Sequence, residues 1–235
     1  MRRYLRIAYT IPIVLTGVFL LISPAQAGLQ CKASKPEISV KTATTNTKYI
    51  RTKSSADLGN MHGGGAKGSG KRSSVGGLGG GEIGFKTESR FEVMQEGNQA
   101  CVRLKSVEVT FYAKPEIHIA SNFHRGTCEY NAVLGHENTH IRILRKFVRE
   151  YSPKVKQHLT RMVAKNDFSV GPVHKFQISK AQDTIQKKFM EKIEQYNNKI
   201  MPVLAKRQQA HDSAAEYARV ASKCKKWDKK LGLKN

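Results

Sequence analysis

Alternating apolar and polar residues dominate the first half of the chain. The alternation is clear over residues 38–40, returns at 91–111 and ends in a short run at 116–119. Because successive side chains of a strand point to opposite faces, such runs predict half-buried β-strands. The pattern therefore predicts a small, mostly antiparallel sheet in the N-terminal half.

The period of the pattern changes near Glu129. From there, apolar residues recur at spacings of three and four over residues 133–151, 155–163 and 178–200, which lines one face of a helix. Pro153 and Pro202 are expected to end or kink these helices, because proline removes a backbone donor. A last helix is expected over residues 203–224. Strands followed by helices predict an α+β fold with a helical C-terminal half.

Two segments fit neither pattern. Residues 1–27 combine three arginines, an apolar run and the small residues Ala25 and Ala27, which is the layout of a cleaved secretory signal peptide. The apolar run, residues 11–22, is shorter than the roughly 20 residues that a spanning helix needs. Residues 59–84 hold most of the glycines and few apolar side chains, so they predict a flexible insert.

The chain is thus expected to form a single domain over residues 28–224, followed by a basic tail at 225–235. Its cysteines are Cys31, Cys101, Cys128 and Cys224. An even number of cysteines in an exported chain predicts two disulfides, and the sequence leaves all three pairings open. Export and disulfides together predict a secreted or periplasmic protein.

The net charge of +23 bears on partners, and loss of the three signal-peptide arginines leaves +20. A protein this basic attracts polyanions. In an exported protein these are anionic envelope polymers or a membrane surface, and no specific nucleic acid is expected. Solvated lysines without any partner explain the same charge equally well.

One segment carries the residue types of a metal site. His136, Glu137 and His140 form an H-E-x-x-H motif in the predicted helical region. Residues four apart share one helix face, so both imidazoles can bind one ion. Two imidazoles and a third ligand suit Zn²⁺ and leave a position for water. Glu137 is then the expected general base, which takes a proton from the zinc-activated water and passes it to the leaving amine.

The third metal ligand is expected downstream of the motif. Its candidates are the histidines and carboxylates His158, Asp167, His174, His211, Asp212 and Glu216. His211 lies on the small-residue face of the predicted last helix, where another helix can approach closely. A carboxylate ligand with a second acidic residue one turn away can bind metal and orient a ligand histidine. Asp212 is therefore the tentative third ligand, with His211 or Glu216 as alternatives.

A family resemblance rests on the H-E-x-x-H segment together with earlier stretches of sequence. These are Ala100-Cys101-Val102-Arg103-Leu104, Val107-Glu108-Val109 and Lys114-Pro115. With the motif, they resemble an uncharacterised bacterial family of predicted secreted zinc-dependent proteases in the zincin superfamily. The resemblance covers roughly residues 35–224 and leaves the glycine-rich insert unmatched. It implies a zincin-like fold and peptide-bond hydrolysis.

The resemblance also bears on the third ligand and the substrate. Members of the family have a late aromatic-Asp pair followed by Thr-x-His-Gly. His211 and Asp212 match the pair, whereas Ala215-Glu216-Tyr217-Ala218 stands in place of Thr-x-His-Gly. In zincins a strand beside the active-site helix pairs with the substrate backbone, for which residues 116–120 are the candidate. Tyr217 or His211 is the candidate for steadying the oxyanion.

The sequence thus predicts an exported zinc-dependent metallopeptidase whose partner is a peptide or protein substrate. The alternative is a non-catalytic basic envelope protein that binds anionic polymers and carries a decayed or structural metal site. A zinc amidase acting on peptidoglycan is a weaker rival, because its usual ligand spacings differ from H-E-x-x-H. Substitution of Glu137 separates the first two hypotheses.

Overall fold

The structure is a computed structural model that describes residues 28–63, 75–225 and Trp227. The predicted signal peptide, the middle of the glycine-rich segment and most of the basic tail lie outside these residues. The described elements, in chain order, are β1 (Glu37–Thr44), β2 (Lys48–Ile50), α1 (Ser55–Gly63), β3 (Gly77–Glu96), β4 (Gln99–Ile119), α2 (Cys128–Lys165), β5 (Ser169–His174), a 3₁₀ turn (Lys175–Gln177), α3 (Ile178–His211) and α4 (Ala214–Ala221).

Strand β4 is the centre of a five-stranded sheet. β3 pairs antiparallel with β4 along its whole length. The other edge of β4 is shared by β5, which pairs antiparallel, and by β1 and β2, which pair parallel. The predicted α+β class is confirmed. The sheet itself is mixed, because β1 and β2 pair parallel with β4. These two parallel pairings were not part of the expected, mostly antiparallel sheet.

The core lies between one face of this sheet and the two long helices. Along β4 the side chains alternate between buried and partly exposed, as the period of two predicts. The buried ones pack against α2 and α3 in a cluster that includes Val107, Val109, Phe111, Phe147 and Phe189. A second cluster, at the end of the sheet where β4 leads into α2, contains Ile117, Ile119, Phe123, Val133 and Ile141. This second cluster positions the start of α2.

Both long helices continue through their prolines. α2 contains Pro153 and α3 contains Pro202, at points where helix ends or kinks were predicted. Both prolines are exposed, so water can satisfy the carbonyl that each leaves without a helical partner. The predicted last helix over 203–224 is instead the end of α3 followed by α4, with the break at Asp212 and Ser213.

The glycine-rich segment is ordered at both ends, in contrast to the flexible insert predicted over residues 59–84. Its start belongs to α1 and its end to β3. A Cβ atom added at Gly77 would lie 2.5 Å from Val133 Cγ1, and one added at Gly79 would lie 2.7 Å from the Glu137 carbonyl oxygen. These glycines therefore allow β3 to run directly against α2, a use of glycine that composition does not distinguish from flexibility.

We expect Gly79→Ala to lower the free energy of unfolding by about 1–3 kcal/mol, because the added methyl group overlaps helix backbone. Gly80→Ala is the matched control, since a Cβ at Gly80 meets no atom within 4 Å. That substitution should be neutral or slightly stabilising, because alanine restricts the unfolded chain. Urea denaturation of both variants measures the difference. Equal effects would contradict the close approach of β3 to α2.

Two disulfides cross-link the fold, Cys31–Cys101 and Cys128–Cys224. The predicted number is confirmed, and the structure selects one of the three pairings. Disulfides of this kind persist in oxidising, extracellular-type environments. Within the described ranges, no helix has the length and hydropathy needed to cross a membrane.

Candidate metal centre

The H-E-x-x-H residues lie near the start of α2. The helix is capped by Thr127, whose hydroxyl accepts a hydrogen bond from the Tyr130 N–H at 3.3 Å. His136, Glu137 and His140 have exposed fractions of only 6%, 4% and 5%. Buried polar side chains need partners, which come from β3 on one side and from residues 208–217 on the other.

Three side-chain atoms converge beside α2. His136 Nε2 lies 3.3 Å from His140 Nε2, and Asp212 Oδ1 lies 3.2 Å and 2.9 Å from these two nitrogens. A tetrahedral zinc ion with ligand bonds of about 2.0–2.1 Å holds its ligand atoms about 3.3–3.4 Å apart. The triangle therefore has nearly the dimensions of one face of such a coordination shell.

The acceptors beside the two other ring nitrogens favour one tautomer of each histidine. His136 Nδ1 lies 3.2 Å from Glu216 Oε1, and His140 Nδ1 lies 2.6 Å from Gln208 Oε1. The Gln208 amide nitrogen donates to the His140 carbonyl oxygen at 3.2 Å, so its oxygen is the atom that faces the ring. Each Nδ1 thus has an acceptor for its proton, which leaves the Nε2 lone pair of a neutral imidazole free.

In this tautomer the two Nε2 atoms and the Asp212 carboxylate form a set of three atoms that can each ligate a metal ion. Two neutral Nε2 atoms and the Asp212 carboxylate repel one another unless a cation lies between them. Nitrogen and carboxylate oxygen donors are those that Zn²⁺ accepts. The residues present therefore fit a zinc ion.

Asp212 reaches this position because the helix breaks there. α3 ends at His211, and Asp212 leaves the helical conformation with φ −80° and ψ 45°. Ser213 then caps α4 by accepting a hydrogen bond from the Glu216 N–H. An uninterrupted helix over 203–224 would place Asp212 and Glu216 on adjacent turns of one face. The break lets them approach His136 from different directions.

His211 is a second donor at the same place. Its ring stacks on His136 with centroids 4.5 Å apart, and His136, His140 and His211 each offer a ligand atom within 4.8 Å of the others. Its Nε2 is buried without a hydrogen-bond partner. Burial and the two neighbouring histidines lower the pKa of His211. We favour Asp212 as the third ligand because its Oδ1 lies within 3.2 Å of both Nε2 atoms.

Glu216 orients His136 rather than completing the triangle. Arg219 donates to both carboxylate oxygens, at 2.6 Å and 2.5 Å. These hydrogen bonds, with a smaller contribution from the His136 hydrogen bond, lower the pKa of Glu216 to about 2. The side chain is therefore a fixed anion that accepts the Nδ1 proton of a candidate ligand histidine.

Tyr217 closes the same side of the site. Its ring centroid lies 5.6 Å from that of His136. Burial, followed by the charge of Asp212 and a hydrogen bond to it, raises the pKa of Tyr217 to about 12. The phenol is therefore protonated at neutral pH and available as a hydrogen-bond donor.

Glu137 is a buried carboxyl group facing β3. Burial and the nearby charge of Asp212 raise its pKa to about 8, against the smaller opposing effect of a hydrogen bond from the Gly79 N–H. A cation at the Asp212 triangle would neutralise one cause of this rise and favour the carboxylate. The backbone of β3 and the candidate cation site thus set the protonation of Glu137 together.

We expect the metal-free protein to lose stability as pH rises from about 4.5 to about 8. The folded state retains the Glu137 proton until its pKa of about 8, whereas the unfolded chain releases it near 4.5. Stability falls with pH wherever the folded state binds more protons. In EDTA, Glu137→Gln should match the wild type in Tm at pH 4 and exceed it at pH 8.5. A difference in Tm that is constant with pH would refute this.

A cavity of about 560 Å³ opens beside these residues. His136, Glu137, His140, Gln208, Asp212 and Tyr217 form its polar end. The remaining lining residues are apolar or glycine and come from residues 75–79 of the β3 region, α2, α4 and Trp227. A ligand in this cavity would contact the candidate metal residues and Glu137.

The disulfide Cys128–Cys224 joins the two halves of the centre. Cys128 begins α2, and Cys224 follows α4. The segment between Gln208 and Cys224 supplies Asp212, Glu216 and Tyr217 to the centre. The cross-link therefore anchors this segment to the helix that carries the H-E-x-x-H motif.

The structure brings together His136, Glu137, His140, His211, Asp212 and Glu216. The other downstream candidates lie elsewhere: His158 stacks on Tyr196, Asp167 accepts hydrogen bonds from Ser34 and Ser169, and His174 lies beside Phe176 at the 3₁₀ turn.

Three residues that contribute to the centre were not predicted from the sequence. Gln208 lies one helical turn before Asp212, which was a usable signal, whereas Gly79 and Trp227 are adjacent to the centre only through tertiary contacts.

The strand proposed for substrate binding is not available. Both edges of β4 at residues 116–118 are occupied, by β2 on one side and by β3 on the other. A fourth strand cannot pair there, because no backbone groups remain free. Residues 77–80 of β3 are the alternative, since β3 pairs only with β4 among the described strands.

Comparison of the chain with protein-family models, with curated proteins and with solved structures finds no match.

Proposed function

We infer that the protein is an exported zinc-dependent metallopeptidase. The observation that supports this most strongly is the triangle of His136 Nε2, His140 Nε2 and Asp212 Oδ1, with edges of 2.9–3.3 Å. The Nδ1 atoms of the two histidines face acceptors, Glu216 Oε1 and Gln208 Oε1. Glu137 stands beside this triangle in the same cavity. The resemblance to predicted secreted zinc-dependent proteases of the zincin superfamily agrees with this proposal.

The chemistry divides between the ion and Glu137. A zinc ion bound by these residues would polarise the peptide carbonyl and lower the pKa of water. Glu137 removes a proton from the attacking water as its oxygen bonds to the carbonyl carbon. Glu137 then delivers that proton to the amide nitrogen as the C–N bond breaks, which yields a carboxylic acid and an amine, and the proton of the acid then passes to the amine. Tyr217 is the candidate donor to the oxyanion, with His211 as the alternative.

The outer edge of β3, which no other described strand pairs with, is the proposed guide for the substrate backbone. The Gly76 carbonyl oxygen accepts from the Ala120 N–H, so Gly76 faces β4. Backbone groups alternate between the two edges of a strand, which directs those of Gly77 and Gly79 away from β4. The Gly79 N–H is the group that donates to Glu137. An extended peptide that pairs with the remaining outward groups of Gly77 and Gly79 would lie next to the general base.

Zinc content tests the proposal. The disulfide-bonded protein should bind about one zinc ion per chain, measured by native mass spectrometry, and the double variant His136→Ala/His140→Ala should bind none. His158→Ala/His174→Ala is the matched control, since those histidines lie outside the centre. Zinc that survives loss of His136 and His140 would overturn the proposed site.

The same measurement decides the third ligand. Asp212→Asn should weaken zinc binding by roughly 10- to 100-fold or more, because a charged ligand becomes a poor neutral one. His211→Ala should have a smaller effect, since the His211 Nε2 has no hydrogen-bond partner in the triangle. The reverse order would assign the third position to His211.

Export through a signal peptide at residues 1–27 is part of the proposal. The two disulfides support it, because they require an oxidising compartment. Sequencing of the N-terminus of the exported protein should find Gly28, and an N-terminus at Met1 would contradict cleavage.

A second candidate function, binding of anionic polymers, is favoured by the outer face of α2. Arg142, Lys146, Arg149 and Lys156 are exposed and recur at spacings of three, four and seven, so they form one stripe. The triple variant Arg142→Gln/Lys146→Gln/Arg149→Gln should weaken binding to a polyanion such as heparin and flatten its salt dependence. Peptide hydrolysis should not change, since the stripe lies on the helix face opposite His136 and His140.

A further inference from the structure

We propose that the cavity beside the metal centre binds a large aliphatic or aromatic side chain of the substrate. This inference rests on the proposed peptidase function and names its substrate class: peptides with an apolar residue next to the scissile bond. The cavity volume of about 560 Å³ lies within the roughly 300–1,000 Å³ typical of ligand pockets.

The lining of the cavity is divided by polarity. Its polar side chains are those of the metal centre, together with Gln208 and Tyr217. The rest of the wall is formed by Val75 and Leu78 near the start of β3, Val133 of α2, Val220 of α4 and Trp227. Among the described residues, no charged side chain lines this apolar part. A charged substrate side chain would therefore lose water there without gaining a partner.

Trp227 is held in place from two sides. Its ring centroid lies 5.8 Å from that of Phe123, in the cluster that supports the start of α2. It also packs against the small cluster of Ala132, Val220 and Cys224, where the Cys128–Cys224 disulfide lies. The apolar wall thus joins α2, α4 and the segment after Cys224. A wall fixed in this way can select side chains by shape as well as by polarity.

The arrangement of β3 brings a substrate side chain to this wall. A peptide on the outer edge of Gly77 and Gly79 has its side chains alternately on the two faces of the extended sheet. Leu78, between these glycines, already lines the cavity. A neighbouring side chain of the bound peptide would enter the same space while the peptide carbonyl lies beside Glu137.

Trp227 makes the test direct, because it is the single tryptophan of the chain. Its fluorescence reports occupation of the cavity without requiring hydrolysis. The zinc-loaded Glu137→Gln protein would be titrated with acetylated, amidated hexapeptides of glycine that carry one variable residue. That residue is leucine, phenylalanine, alanine, aspartate or lysine. Because the other residues are glycine, the peptide can bind in whichever register places the variable side chain in the cavity.

The leucine and phenylalanine peptides should change Trp227 fluorescence with a Kd about 10- to 100-fold lower than the aspartate and lysine peptides. Leu78→Asp should reverse the order in favour of lysine. Val93→Asp is the matched control, because Val93 is an exposed residue of the same strand and does not line the cavity. If Leu78→Asp does not fold, the titrations of the Glu137→Gln protein with Leu78 intact still test the apolar pocket.

The outcomes separate the two proposals. Peptide hydrolysis by the wild-type protein with equal binding of leucine and aspartate peptides would overturn the apolar pocket and leave the peptidase function standing. Absence of any fluorescence response to the leucine and phenylalanine peptides would also overturn the pocket. Selective binding of apolar peptides by a protein that holds no zinc and cleaves nothing would sustain the pocket and refute the peptidase function.

Discussion

Glu137→Gln should retain zinc and lower kcat for peptide hydrolysis by about 10²- to 10⁴-fold, the usual contribution of a general base. Glutamine fills the same space beside Gly77 and Gly79 but cannot accept the proton of the attacking water. The fold should remain intact, because the substitution removes a buried ionisable group whose pKa is already raised to about 8. Zinc content and kcat, measured on the same preparation, separate loss of chemistry from loss of metal.

The matched control is Glu150→Gln. Glu150 lies on the same helix, away from the cavity, in an ion pair with Arg207 at 2.6 Å. Its loss should change stability by less than about 1 kcal/mol, as is usual for partly exposed ion pairs, and should not change kcat. A Glu137→Gln protein with full activity would remove Glu137 from its role as base. That result would favour the non-catalytic alternative, in which a contaminating peptidase accounts for any weak hydrolysis.

Cys128→Ser/Cys224→Ser should lower zinc affinity at least about tenfold, the scale on which groups supporting metal ligands act. The disulfide spans 96 residues and holds the segment that supplies Asp212, Glu216 and Tyr217. Its removal should also lower the free energy of unfolding by about 2–5 kcal/mol. Competition with a zinc chelator measures the affinity, and denaturant unfolding measures the stability.

The second disulfide provides the control for this experiment. Cys31–Cys101 spans 70 residues and ties the N-terminal segment to β4, away from the centre. Cys31→Ser/Cys101→Ser should therefore lower stability by a similar amount and leave zinc affinity unchanged in the folded protein. Equal losses of zinc affinity in both variants would mean that the metal centre responds to global stability rather than to the anchored segment.

The local parts of the fold were predictable from sequence. The alternation in β4 and the three- and four-residue spacing in α2 and α3 are direct consequences of strand and helix geometry, and they gave the α+β class. The proximity of His136 and His140 was predictable for the same reason, since residues four apart lie on one face of a helix.

The long-range parts were not predictable. A glycine-rich stretch has the same composition whether it forms a flexible loop or a close approach between backbones. The position of Gly77 and Gly79 against α2 could therefore not be predicted. The parallel return of β1 and β2 depends on partners far along the chain. The exposed prolines Pro153 and Pro202 were expected to end or kink helices, and both helices continue through them.

The candidate third ligand shows where local reasoning ends. Asp212 was named, but within a helix assumed to be continuous. The direction of its carboxylate depends on the break between α3 and α4, which is made by Ser213 as the cap of α4. One serine in the middle of an apparently helical stretch is a weak signal. The effect of the break is evident only from the tertiary position of Asp212 beside His136.

The separation of the centre along the chain sets the order in which its parts become available. Asp212 lies 76 residues after His136, and Glu216 lies 80 residues after it. A chain that emerges from its N-terminus first presents both histidines and Glu137 long before their partners exist. The nascent chain therefore lacks a complete centre until the later segment arrives and Cys224 pairs with Cys128. If the protein is the proposed peptidase, this order keeps it inert towards the machinery that produces it.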